Sequence, residues 1–148
     1  MSARSRAQKT LVCVFALSIL GFAPSLLWAQ GPPEAIAQAR NEAEEWLNLI
    51  DKGDYRASWI RAASLFKDRV SVDEWEQQVS GVRDSLGNLV SRKFKSAKFV
   101  TTLPGAPDGK YVVLQYNSSF YYKKAAIESV TPMMDKDGEW RVSGYYIK

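Results

Sequence analysis

Histidine is absent from the sequence, and its one cysteine, Cys13, lies in an apolar N-terminal run. These two facts exclude Ser-His-Asp and Cys-His catalysis, histidine-based zinc sites and zinc thiolate clusters. Carboxylates remain for acid–base or metal chemistry. Asp135 and Asp137 are close in sequence, but Asp135-Lys136-Asp137-Gly138 is the pattern of a hairpin turn, and turn chemistry accounts for both acids. The sequence has no glycine-rich phosphate loop. Glu128 is the only carboxylate inside an expected strand, where Arg92, Arg141 or a lysine can pair with it across the sheet. No catalytic residue is assigned from the pattern, and neither a metal nor a cofactor is expected.

The elements that must position Glu128 are of two kinds. The first half reads as three helices. From Glu34 to Ile50, the residues Ile36, Ala39, Ala43, Trp46, Leu47 and Ile50 recur at intervals of three and four, which is one apolar stripe. Gly53 suits the left-handed position that ends this helix. Asp54 caps a second helix, with Tyr55, Trp59, Ala62, Ala63 and Phe66 on one face. Ser71-Val72-Asp73-Glu74 is a capping box for the third, with Val70 and Trp75 at the staple positions. Trp75, Val79, Val82 and Leu86 form its expected buried stripe, and Gly87 ends it.

From Leu89 the period changes to that of strands. Phe94 to Leu103 reads as a strand joined through a bend to the stretch from Leu89. Lys110 to Tyr122 is a second strand, with Val112, Leu114, Tyr116 and Phe120 on one face and Val113, Gln115, Asn117 and Ser119 on the other. Ala125 to Met133, interrupted by Pro132, and Glu139 to Ile147 complete the set. Helices followed by an antiparallel meander make an α+β fold, three helices packed on a curved sheet.

The N-terminus reads as an export signal. Arg4, Arg6 and Lys9 are followed by the apolar run Leu11 to Leu20, and Leu27-Trp28-Ala29 ends in a small residue before Gln30. The apolar run is shorter than the roughly 20 residues of a membrane span. The alternative is an uncleaved anchor, which the following Gln-Gly-Pro-Pro fits less well. The expected organisation is a signal over residues 1–29, a short linker over 30–33 and one domain over 34–148. Without the signal, 17 basic residues face 16 acidic ones, so the net charge of +4 falls to +1. That balance gives no argument for nucleic acid or for an anionic membrane. Arg92, Lys93, Lys95 and Lys98 read as a solvated strand edge or face.

Many short stretches carry a resemblance. They include Trp46 with Gly53-Asp54-Tyr55, Ser58-Trp59, Ser91-Arg92, Leu103-Pro104-Gly105, Glu128-Ser129-Val130 and the run Asp137 to Tyr146. Together they resemble an exported bacterial domain-of-unknown-function family (number 4019), and the order of elements is similar to the nuclear-transport-factor-2-like superfamily. The resemblance implies a cone-shaped fold and export, and supplies no activity. Cone-fold isomerases and dehydratases use carboxylates and tyrosines inside the cone, which makes Tyr55, Tyr116, Glu128 and Tyr145 a candidate pocket.

The expected function is a non-enzymatic module, periplasmic or secreted, that binds a small ligand or an envelope partner. One alternative is an isomerase or dehydratase with a buried carboxylate and tyrosines. Another is a structural accessory that forms a homodimer through its sheet. No nucleic-acid partner is expected, and no membrane span once the signal is removed. Trp46, Trp59, Trp75 and Trp140 could stack on carbohydrate, but helical spacing places the first three in the core.

Overall fold

A computed structural model describes residues 32–148; the expected signal and the first two residues of the expected linker lie outside them. The first helix, α1 (Pro33–Asp51), begins inside the expected linker, because Pro33 has the φ that a first helical residue needs and lacks only an N–H the helix does not use. Its buried residues are Ala39, Ala43, Trp46, Leu47 and Ile50, the stripe expected from the spacing except for Ile36, which is half-buried. Gly53, at φ +77°, turns the chain.

The second expected helix is broken in two. The segment α2 (Tyr55–Arg61) starts where the Asp54 carboxylate accepts from the Ala57 amide at 3.2 Å. Ala62 and Ala63 are then extended and fully buried, and a single turn, α3 (Ser64–Lys67), follows. The Ala63 amide donates to the Val142 carbonyl at 2.9 Å. A tertiary hydrogen bond and burial therefore override the helix preference of two alanines. The described domain has four helices where three were expected.

The last helix, α4 (Val72–Leu86), opens on the complete capping box, with the Ser71 amide donating to the Glu74 carboxylate at 2.9 Å. Its buried face is Trp75, Val79, Arg83 and Leu86. Val82, expected inside, is 46% exposed, and Arg83 takes the inward position.

Four strands follow: β1 (Leu89–Val100), β2 (Tyr111–Phe120), β3 (Ala126–Met134) and β4 (Trp140–Ile147). They pair in sequence order as an antiparallel meander. The expected bend before Phe94 appears as two register shifts within one continuous β1. A third shift, at Thr131/Pro132, falls where proline has no N–H for the ladder.

Helix α1 touches all four strands from one side of the sheet. The core lies between them, with Trp46, Val112, Leu114, Val130 and Val142 at its centre. The Trp46 indole donates to the Ser58 carbonyl and the Trp75 indole to the Ser58 hydroxyl, both at 2.9 Å. These tryptophans are structural. Asn117 and Tyr146, by contrast, are exposed on the sheet face turned away from α1.

Candidate functional site

Alternation along the strands puts Arg92, Ser118, Glu128 and Tyr145 on the sheet face that meets the helices. Glu128 is fully buried on β3. One oxygen, Oε1, accepts from the Tyr145 hydroxyl at 2.7 Å and from Arg92 Nη2 at 3.0 Å. The other, Oε2, accepts from Arg92 Nε at 2.6 Å and from the Ser118 hydroxyl at 2.5 Å. Arg92 reaches from β1 past β2 to do this. Its other edge meets Asp51, at the end of α1, at 2.7 and 3.0 Å. Arg83 comes in from α4, donates to Asp51 at 3.0 Å and stands 3.9 Å from Glu128. The guanidinium of Arg83 lies 4.9 Å from the Phe120 ring centre.

Two carboxylates and two guanidiniums thus form a neutral cluster. A buried charge without such partners is costly, and paired hydrogen-bonded charges avoid that cost. Burial opposes the charge of Arg92, but its hydrogen bonds to Asp51 and Glu128 outweigh this and hold it protonated above its ordinary range. Burial, reinforced by the Glu128 charge, pushes the Tyr145 phenol far up. All four donors to Glu128 belong to the protein. A substrate proton would have to displace one of them before Glu128 could accept it, so the geometry suits anchoring strands and helices together.

Of the four candidate pocket residues, Glu128 and Tyr145 are bonded to each other. Tyr116 lies opposite Glu128 in the β2–β3 register but makes no hydrogen bond to it. Its hydroxyl is buried without a partner, and burial, with the nearby Glu44 charge, pushes the phenol up to about 12. Tyr55 is half-buried at the start of α2 with no hydrogen bond to Glu128; burial raises its phenol, and the nearby Arg83 charge opposes this. Arg141, one of the partners considered for Glu128, instead holds Asp137 at 2.7 and 2.8 Å. Asp135 accepts from the Ser64 amide at 2.9 Å and hydroxyl at 2.5 Å, which ties the last hairpin to α3. Both turn aspartates have structural partners.

Sequence reasoning missed Asp51, Arg83 and Ser118. Arg83 had a legible signal, since it stands four residues after Val79 on the buried side of α4. Ser118 had one as well, because it alternates in phase with Tyr116 and Phe120. Asp51 read as part of a helix stop, and nothing local marks its partners.

Open grooves on the described surface include one of about 410 Å³ between α1 and the last hairpin, lined by Glu42, Glu45 and Glu139, and three beside the sheet. One, of about 550 Å³, runs between α1 and β1, where Arg40 covers Phe94 at 4.2 Å. A smaller one, of about 210 Å³, lies between α4 and β4 beside Tyr145 and Val82. The third, of about 450 Å³, is on the outer sheet face and includes Lys93, Asn117, Lys124 and Lys148. Among the described residues no acids cluster as a metal-holding group, and no helix is long and apolar enough to cross a membrane.

No curated protein matches the chain. A family model described as "Protein of unknown function (DUF4019)" matches residues 42–145. That span runs from within α1 into β4 and contains Asp51, Arg83, Arg92, Ser118, Glu128 and Tyr145. It covers well over half of the sequence, and the chain belongs to this DUF4019 family.

Proposed function

We propose that the protein is an exported, non-enzymatic binding module with a nuclear-transport-factor-2-like architecture, acting in the periplasm or outside the cell. The signal pattern before Gln30 supports export. The helices packed on one face of an antiparallel meander support the architecture. The observation that carries the binding reading is the contrast between the two sheet faces. On the inner face Glu128, the one strand carboxylate considered as a base, has both oxygens occupied by protein donors. On the outer face Lys93, Asn117, Ser119, Lys124 and Lys148 line an open groove, and among the described residues none of these side chains has a hydrogen-bond or ion-pair partner.

The test is native mass spectrometry of the protein purified from its exporting host without refolding. The reading expects a chain beginning at Gln30 that carries an additional non-covalent mass, stripped by denaturation. A chain retaining residues 1–29, or a bare mass under the gentlest ionisation, contradicts export or stable ligand binding respectively.

A further inference from the structure

Residues 89–127 carry seven arginines and lysines and a single acid, Asp108, whereas residues 34–86 carry eleven acids and seven basic residues. The near-neutral total conceals this segregation. Every ion pair among the described residues uses an arginine, so the lysines are left without acidic partners.

Three of those lysines meet on the outer sheet face. Lys93 on β1 pairs in register with Asn117 on β2, and Asn117 with Ile127 on β3. Ile127 and Lys148 exchange backbone hydrogen bonds at 3.0 Å each way. Residues directly opposite one another share a face, so Lys93, Asn117, Ile127 and Lys148 form one row across the sheet. At about 4.8 Å between strands, the two lysines flank a span of about 14 Å. The next row is Ser96, Gln115, Ser129 and Tyr146. Lys124 enters the same groove from the β2–β3 turn, its Nζ 5.3 Å from the Tyr121 ring centre. Tyr121 is 62% exposed there, and Tyr122, edge to face with it, lies over Gly87 at the turn from α4 to β1.

We propose that this face binds a linear acidic glycan, with Lys93, Lys124 and Lys148 meeting its carboxylates. The proposal rests on the reading of the protein as a binding module and names the ligand class. Spaced lysines match a chain whose charges are spaced, not one compact anion. Asn117, Gln115 and the serines offer the mixed donors and acceptors that sugar hydroxyls need. Tyr121 and Tyr146 present rings against which the apolar faces of sugar rings can pack.

The experiment titrates the exported protein at low salt with three probes: a hexamer of galacturonic acid, a neutral malto-hexaose and phosphatidylglycerol vesicles. The expected result is binding of the uronate alone, weakened at least tenfold by Lys93→Gln, Lys124→Gln and Lys148→Gln together, with an unchanged urea midpoint. Absence of uronate binding, or uronate binding that the triple variant keeps, overturns the proposal. Binding to the vesicles in place of the uronate also overturns it, in favour of a membrane surface. Native mass spectrometry separates the two levels. If the triple variant keeps a co-purified mass, this site is wrong and the binding module stands; if the unaltered protein has neither mass nor uronate binding, both fall.

Discussion

Arg92 points into the molecule and Lys93 out of it, one residue apart on β1. The inward guanidinium has two carboxylates in its grip and bridges α1, β1 and β3. The outward ammonium has no acidic partner. The choice of side chain follows the task. A planar fork can satisfy two carboxylates at once in a desolvated place, whereas a lysine on a flexible stem keeps its charge hydrated and available. The arginines of the inner cluster fasten elements together, and the lysines of the outer sheet face have no acidic partner among the described residues.

That comparison can be broken by substitutions whose effects differ in size. Glu128→Gln is expected to have the largest effect. It leaves Arg83 and Arg92 with Asp51 alone, and removing one member of a buried ion cluster costs about 3–5 kcal/mol, to be read from urea denaturation. A catalytic Glu128 would instead tolerate glutamine with stability nearly intact. Tyr145→Phe comes next and sharpens the point through pH. The buried phenol holds its proton far above the ordinary value of 10.0. Its contribution is complete below pH 10, where the unfolded chain's phenol ionises, and is lost as the pH rises toward the folded value. Stability should therefore decline above pH 10, and Tyr145→Phe should flatten that decline in denaturation curves taken at successive pH values. Ser71→Ala removes the cap of α4, away from both charged regions, and should cost about 1 kcal/mol. Lys93→Gln should change stability by less than about 0.5 kcal/mol, since the exposed side chain fastens nothing. A loss from Lys93→Gln comparable to that from Glu128→Gln would erase the distinction between the faces.

Local signals were enough for much of the fold. The capping box at Ser71 and Glu74, the stripe on α1, the two faces of β2 and the turn at Gly138 are all contained in windows of a few residues. The features that could not be read depend on contacts between distant segments. Ala62 and Ala63 are helix formers, and only the edge of β4 explains their extension. Val82 and Arg83 lie side by side on α4, and Arg83 turns inward because Asp51 and Glu128 are there to receive it. Glu128 was recognised as needing a cation and Arg92 was one of those considered, but its reach past β2 is a matter of sheet geometry. The alignment of Lys148 with Lys93 is further still from local pattern, since it depends on the register of four strands.

The claim that ligands meet the outer face while the inner cluster holds the fold is tested most directly by amide chemical-shift mapping. The measurement follows the isotope-labelled protein as the galacturonate hexamer is added. The account predicts shifts at Lys93, Asn117, Ile127 and Lys148, with Arg83, Glu128 and Tyr145 unmoved. Shifts concentrated on the inner cluster, with the outer row silent, would contradict it.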